Sequence, residues 1–243
     1  MAWDAVDAVL FDLDGVITPT AEVHMHAWAE MFSPFLAEHG VAPYTEQDYF
    51  AYVDGRPRYD GVETLLEARG IDLPWGDPSD SPAAETVCGL GNRKNEMFGK
   101  VLARDGVTPY PGSVRLIDVL EDRSTPMAVV SSSANAPEVL HAAGLTGRFA
   151  AVVDGAVARE HSLPGKPRPD TYQYAADLLG VRHDRAVVVE DAVSGVQAGA
   201  AGGFALVVGV DRGAGADTLR ANGAGIVVQD LAELVPAVLE VTS

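Results

Sequence analysis

Short unbroken apolar runs alternate with amphipathic stretches along most of the chain. Ala8-Val9-Leu10-Phe11 is such a run, stopped by Asp12-Leu13-Asp14-Gly15, and reads as a strand buried on both faces. Further runs lie at Met127 to Val130, Val187 to Val189, Ala205 to Val208 and Ile226 to Val228, with a weaker one at Ala151 to Val153. Helical stretches between them end at Gly144, Gly180 and Gly202, and Asn135, Asp170 and Ser194 suit N-cap positions. The alternation predicts an α/β fold, a doubly wound parallel sheet with helices on both faces.

One interval departs from this rhythm. From about Thr20 to Gly106 no strand is predicted, and amphipathic segments run over Glu22 to Glu38, Asp60 to Arg69 and Arg93 to Arg104. Leu73 to Pro82 is a turn-rich loop between the last two. The expectation is a sheet core made of residues 1–19 and 107–243, interrupted by a helical subdomain over 20–106. No internal repeat or low-complexity tract is visible.

Composition narrows the function classes. The 243 residues are 47% hydrophobic and 21% charged, which suits a folded chain and not a disordered one. No apolar run is long enough to span a bilayer, and Met1-Ala2-Trp3-Asp4 does not resemble an export signal. With 35 acidic against 17 basic residues the formal net charge is −18, a surface that repels nucleic acid and anionic membrane. Cys88 is the single cysteine, so intramolecular disulfides and cysteine-rich zinc sites are excluded. These features predict a cytoplasmic protein. The basic residues are 14 Arg and only three Lys, at Lys94, Lys100 and Lys166, so each lysine invites a reason.

Candidate chemistry gathers where strands end. Asp12 and Asp14 lie two apart after the first strand, where continued strand geometry turns both to one side. Taken alone they read also as a turn built from Asp and Gly. Glu190 and Asp191 follow Val187-Val188-Val189 at another strand end, ahead of Ser194-Gly195. Ligands of open parallel sheets bind outside the carboxyl ends of the strands. Four carboxylates converging there call for a hard divalent cation, Mg²⁺ being the simplest choice. Ser131-Ser132-Ser133 supplies hydroxyls and N–H groups near a helix start, and Lys166 in Gly165-Lys166-Pro167-Arg168-Pro169-Asp170 supplies a compact cation. Both suit a phosphoryl group.

Taken in order, FDLDGVIT, VVSSS, the lysine of GKPRPD and VVVEDAVSGVQAGAAGG resemble the four motifs of the haloacid dehalogenase superfamily of phosphotransferases. The resemblance spans essentially the whole chain. It implies that Asp12 attacks phosphorus to form an aspartyl-phosphate, and that Asp14 protonates the leaving oxygen and deprotonates the incoming one. It also implies that Asp12, the backbone carbonyl of Asp14 and Asp191 hold Mg²⁺ with Glu190 beside them. Ser131 and Lys166 would cradle the phosphoryl group.

The helical insert is similar to the cap of the β-phosphoglucomutase-like branch. His24 in FDLDGVITPTAEVHMHAW falls on that branch's cap histidine, and Arg58 and Lys94 fall on its phosphate-gripping arginine and cap lysine. Ser133 and Asn135 match core residues that contact the same remote phosphate, with Ser132 between motif and contact. His24, at helical spacing with Trp28 and Phe32, either faces the cap's own core or assists the proton cycle of Asp14. Departures from the branch are Pro19 in place of Asp, Gly61 in place of Ser, Ala134 in place of Lys, and the long loop from Leu73 to Pro82.

The resemblance implies a monomeric, Mg²⁺-dependent enzyme acting on a small-molecule sugar phosphate, with glucose 1,6-bisphosphate as its intermediate if it is a mutase. The alternative is a sugar-phosphate phosphatase, in which water takes the phosphoryl group. A more distant one is a phospho-accepting binding module without turnover, against which the insert and Asp14 argue.

Overall fold

The computed structural model describes residues 3–53 and 58–240. The chain divides into two compact units, residues 21–106 and residues 1–20 with 107–243.

The first of these units is helical. Its elements are α1 (Thr20–Glu38), α2 (Glu46–Asp48) running into a π-helical turn at Tyr49–Val53, α3 (Arg58–Ala68) and α4 (Val87–Asp105). No strand occurs among its described residues. Trp28, Met31, Phe32, Phe35 and Leu36 recur at helical spacing on α1 and form one stripe. They pack with Val62, Leu65 and Leu66 of α3 and with Val87 and Leu90 of α4 into a core of this unit's own. Local chemistry sets the ends: Thr86 caps α4 by accepting the Gly89 N–H at 2.9 Å. The 73–82 loop is tied down as well. Thr86 donates to Asp80 at 2.7 Å, and Asn92 donates to the carbonyls of Pro78 and Asp80.

The second unit holds a six-stranded parallel sheet of β1 (Ala8–Phe11), β2 (Met127–Val130), β3 (Ala151–Val153), β4 (Ala186–Glu190), β5 (Leu206–Val210) and β6 (Ile226–Val228). The strand order is β3-β2-β1-β4-β5-β6. Seven helices connect or follow the strands: α5 (Pro111–Asp122), α6 (Ala136–Ala142), α7 (Gly155–Glu160), α8 (Asp170–Leu178), α9 (Val193–Ala201), α10 (Ala216–Ala221) and α11 (Val235–Leu239). β1, β2 and β4 are buried at every residue, as unbroken Ala, Val and Leu runs require of central parallel strands. Phe11 pairs with Val129 on one side and with Val189 on the other, so the carboxyl ends of β1, β2 and β4 lie level. The order reverses between β1 and β4, and residues just beyond their ends face the same crevice.

The structure moves two expected caps. Asp170 is the first residue of α8 behind Pro169, and Ser194 is the second residue of α9 behind Ala192. α8 begins at Asp170 itself and α9 one residue before Ser194, so each helix starts earlier than a cap at that side chain would place it. Asn135 occupies the N-cap position of α6, yet makes no side-chain capping bond. β4 also runs one residue further than its apolar run, so Glu190 is a strand residue only 1% exposed. No helix among the described residues is long and apolar enough to cross a membrane.

Candidate active site

The N–H of Asp12 donates to Val189 C=O at 2.9 Å, carrying the β1–β4 ladder one residue past β1. The chain then turns at Gly15, whose φ is +79° and whose α-carbon lies against the Asp191 carboxylate. A side chain here would be strained and would also strike Asp191. Gly195, in the first turn of α9 beyond β4, leaves similar room, because a Cβ there would occupy the place of the Glu190 carboxylate. Asp12, Glu190 and Asp191 thereby each offer a carboxylate oxygen, all within 4.8 Å of one another.

Lys166 is the cation of this cluster. Its ammonium donates to Asp12 Oδ1, to Glu190 Oε1 at 2.6 Å and to Val130 C=O at 3.1 Å. Three acceptors thus take the three ammonium protons. Burial works against the charge, but Asp12 and Glu190 outweigh it and hold the ammonium well above its usual range. Tyr172, wholly buried, lies beneath, its ring centroid 5.0 Å from Lys166 Nζ and its hydroxyl 3.1 Å from Glu190 Oε1. Burial, and next the Glu190 charge, push this phenol well up, so it remains a donor. Glu190 Oε2 accepts the Ala192 N–H at 3.0 Å.

One ammonium does not balance three carboxylates. Burial, with the neighbouring carboxylates adding to it, drives Asp12 well above the carboxylate range despite the pull of Lys166. Burial and then Glu190 push Asp191 up to about 7. A divalent cation relieves this excess of buried negative charge, and an all-carboxylate donor set matches a hard ion of the Mg²⁺ type.

Asp14 is held differently. Its Oδ1 accepts the Thr20 hydroxyl, and its Oδ2 lies 3.4 Å from Ser131 Oγ. The expected convergence of four carboxylates therefore narrows to three side chains, with Asp14 oriented by hydroxyls. Ser131 Oγ accepts the Ser133 N–H at 3.1 Å, and Ser133 Oγ accepts the Asn135 N–H at 3.2 Å, so successive turns lead from β2 to α6. Ser132 is exposed and lines a cavity of about 280 Å³ together with Ser131, Arg159, Ser162, Lys166 and Thr171. Arg212, beyond β5, donates to Gly15 C=O at 2.9 Å and stacks 3.8 Å above the Tyr110 ring, fastening the turn after Asp14.

The helical unit has its own polar cluster. Lys94 Nζ lies 2.7 Å from His24 Nδ1 and within about 5 Å of the Trp28 and Phe98 ring centroids. His24 stacks on Phe98 at 4.4 Å. Burial, then the Lys94 and Arg58 charges, push the imidazole well below its usual range, so it is the neutral acceptor of a Lys94 proton. Arg58 Nη1 lies 3.4 Å from Asn92 Oδ1, which also accepts the Tyr59 hydroxyl at 2.9 Å. Gly55 to Pro57, just ahead of Arg58, fall outside the described residues.

Residues 6–203 match the family model for haloacid dehalogenase-like hydrolases. The chain belongs to this family. Its β-phosphoglucomutase relative from Mycobacterium tuberculosis (strain CDC 1551 / Oshkosh) is 49% identical over 242 residues, covering 96% of this chain and 92% of the relative. A β-phosphoglucomutase of Bacillus subtilis (strain 168) is 33% identical, covering 83% of each chain. The fructose-1-phosphate phosphatase YqaB of Escherichia coli (strain K12) is 34% identical, covering 82% of this chain and 94% of that one. The crystal structure of a Clostridium difficile β-phosphoglucomutase superposes with a TM-score of 0.73 at 22% identity over 97% of this chain and 98% of that one, which shows a shared fold.

Membership in a hydrolase family makes the chain an enzyme and sets aside the binding module without turnover. Within one crevice the family core here offers a carboxylate beside an ammonium, a second carboxylate oriented by hydroxyls, and a cluster fit for a cation. Three contributors escape a reading of the sequence. Thr20 is one of many hydroxyls at a helix start, Tyr172 reads only as an apolar helix position, and Arg212 reaches Gly15 across 197 residues.

Proposed function

We propose that this enzyme is a Mg²⁺-dependent β-phosphoglucomutase, converting β-glucose 1-phosphate to glucose 6-phosphate through phospho-Asp12. The observation that carries the chemistry is the Lys166 ammonium shared between Asp12 and Glu190 beside Asp191. The 49% identity to a β-phosphoglucomutase over nearly the whole chain supports the substrate.

In this reading a carboxylate oxygen of Asp12 attacks phosphorus of a sugar bisphosphate, forming the acyl-phosphate bond as the phosphorus–sugar oxygen bond breaks. Asp14 gives its proton to the departing sugar oxygen, and its own hydrogen bond from Thr20 fixes the direction of that transfer. In reverse, Asp14 takes the proton of a sugar hydroxyl, whose oxygen attacks phospho-Asp12 and leaves the Asp12 carboxylate free. Lys166 and the Ser131 hydroxyl balance the charge on the phosphoryl oxygens. Asp12, Asp191 and the Asp14 carbonyl, with Glu190 beside them, would hold Mg²⁺, which would supply electrostatic neutralisation of phosphoryl and nucleophile when bound.

A mutase must also bind a second phosphate, because its bisphosphate intermediate is used from both ends. The resemblance assigns contacts with that phosphate to Arg58 and Lys94 and, separately, to Ser133 and Asn135, with Ser132 adding a hydroxyl. His24 holds Lys94 in place. Catalysis on a soluble sugar phosphate suits a cytoplasmic setting.

The phosphatase reading is supported by the sugar-phosphate and hexitol phosphatases among the relatives. Supplying β-glucose 1-phosphate, Mg²⁺ and a trace of glucose 1,6-bisphosphate separates the two. Glucose 6-phosphate without matching free phosphate supports the mutase. Free phosphate alone makes the enzyme a phosphatase, and preference for the α-anomer overturns the substrate assignment.

A further inference from the structure

Glu190 Oε1 has two side-chain donors, Lys166 Nζ at 2.6 Å and the Tyr172 hydroxyl at 3.1 Å. The Lys166 ammonium has already placed its three protons on Asp12, Glu190 and Val130. A phosphoryl group arriving on Asp12 needs a proton from this same ammonium, so one of the three bonds must lengthen. If Lys166 leans away from Glu190, Tyr172 is the side-chain donor still seated on Oε1. The Tyr172 ring is fully buried and meets Phe204 edge-on, centroids 6.2 Å apart at 74°, which fixes where the hydroxyl points.

We propose that Tyr172 is a positioning residue whose hydroxyl anchors Glu190. With Oε2 held by Ala192 N–H and Oε1 by Tyr172, Glu190 neither follows Lys166 toward the phosphoryl group nor rotates out of the cluster with Asp12 and Asp191. The ring alone does not suffice. Phenylalanine would keep the apolar packing and the face presented to the ammonium, and would remove only the anchor. The inference rests on the phosphotransfer reading above, in which this cluster takes Mg²⁺.

The test is calorimetric titration of MgCl₂ into the metal-free wild-type protein, Tyr172→Phe and Phe204→Leu, without substrate. Phe204→Leu loosens the ring and spares the hydroxyl. The expected result is Mg²⁺ affinity about tenfold weaker in Tyr172→Phe, the scale seen when a partner of a metal-binding group is removed. Phe204→Leu should stay within about twofold of wild type, and kcat of Tyr172→Phe should fall with little change in KM. Mg²⁺ affinity unchanged in Tyr172→Phe overturns the anchor while leaving the metal reading intact. Equal weakening in Phe204→Leu overturns it too, because packing then explains the effect. A wild-type protein that binds no Mg²⁺ overturns the metal reading and the anchor together.

Discussion

The Thr20 hydroxyl donates to Asp14 Oδ1, and the same threonine opens helix α1. Thr20 is fully buried, so this bond is shielded from water and restricts the direction in which Asp14 can present its other oxygen. Thr20→Val preserves shape and removes the donor. We expect kcat to fall about ten- to a hundredfold, the worth of a hydrogen bond to a charged group. Thr20→Ser should retain most activity. A valine variant with wild-type kcat would sink the orienting role.

Lys166 satisfies three acceptors at one point, which an ammonium can do and a planar guanidinium cannot. Lys166→Arg should therefore lose about as much activity as Lys166→Met, a hundredfold or more by comparison with lost transition-state donors of about that worth. Removing the cation also leaves Asp12 and Glu190 buried without it. Chemical denaturation should report a loss of about 3 kcal/mol in Lys166→Met. An arginine variant of near wild-type kcat would contradict the placement of Lys166.

Asp48 closes a capping box with Thr45 and pairs with Arg69 at 2.7 Å. Burial alone would raise its carboxyl, but Arg69 and the two Thr45 bonds outweigh burial and hold it below the usual range. A carboxylate lowered in the folded state stabilises fully above its unfolded pKa, about 3.9, and loses that contribution as pH falls through the folded value. Arg69→Met should lower Tm at pH 7 and differ less from wild type near pH 3. A gap that widens in acid would refute the pairing.

His24 is pushed down by burial and then by the nearby Lys94 and Arg58 charges. The folded state therefore refuses a proton that the unfolded chain accepts below about pH 6.5. His24 contributes no penalty above that pH and a growing one below it. The wild-type protein should lose Tm between pH 7 and pH 5 more steeply than His24→Gln. The His24 ring resonance in NMR should titrate well below the ordinary imidazole range, and titration near about 6.5 would contradict the buried Lys94 contact.

Much of this architecture is legible in the sequence. The central strands announce themselves because Ala8 to Phe11, Met127 to Val130 and Val187 to Val189 are apolar on both faces, and their ends locate Asp12, Ser131 and the Glu190-Asp191 pair. Lys166 was visible through its rarity and its motif. Short elements were not: α7 and α10 have six residues each, too few turns to reveal a 3.6-residue period. Tertiary bonds were also invisible. Nothing local distinguishes the hydroxyl of Thr20 or Tyr172 from any other, because each acquires its role only when the fold brings Asp14 or Glu190 to it. The N-cap residues of α8 and α9 fell to Pro169 and Ala192, showing that backbone turns set by the site can override side-chain capping preference.

The central claim is that a phosphoryl group rests on Asp12 and passes from there to sugar. Rapid-quench labelling tests it most directly. Enzyme with Mg²⁺ is mixed with labelled glucose 1,6-bisphosphate, then chased with unlabelled β-glucose 1-phosphate. The account predicts label on the peptide carrying Asp12, none in Asp12→Asn, and its transfer in the chase to sugar bisphosphate and glucose 6-phosphate. Label found on another residue, or lost in the chase wholly as free phosphate, would contradict it.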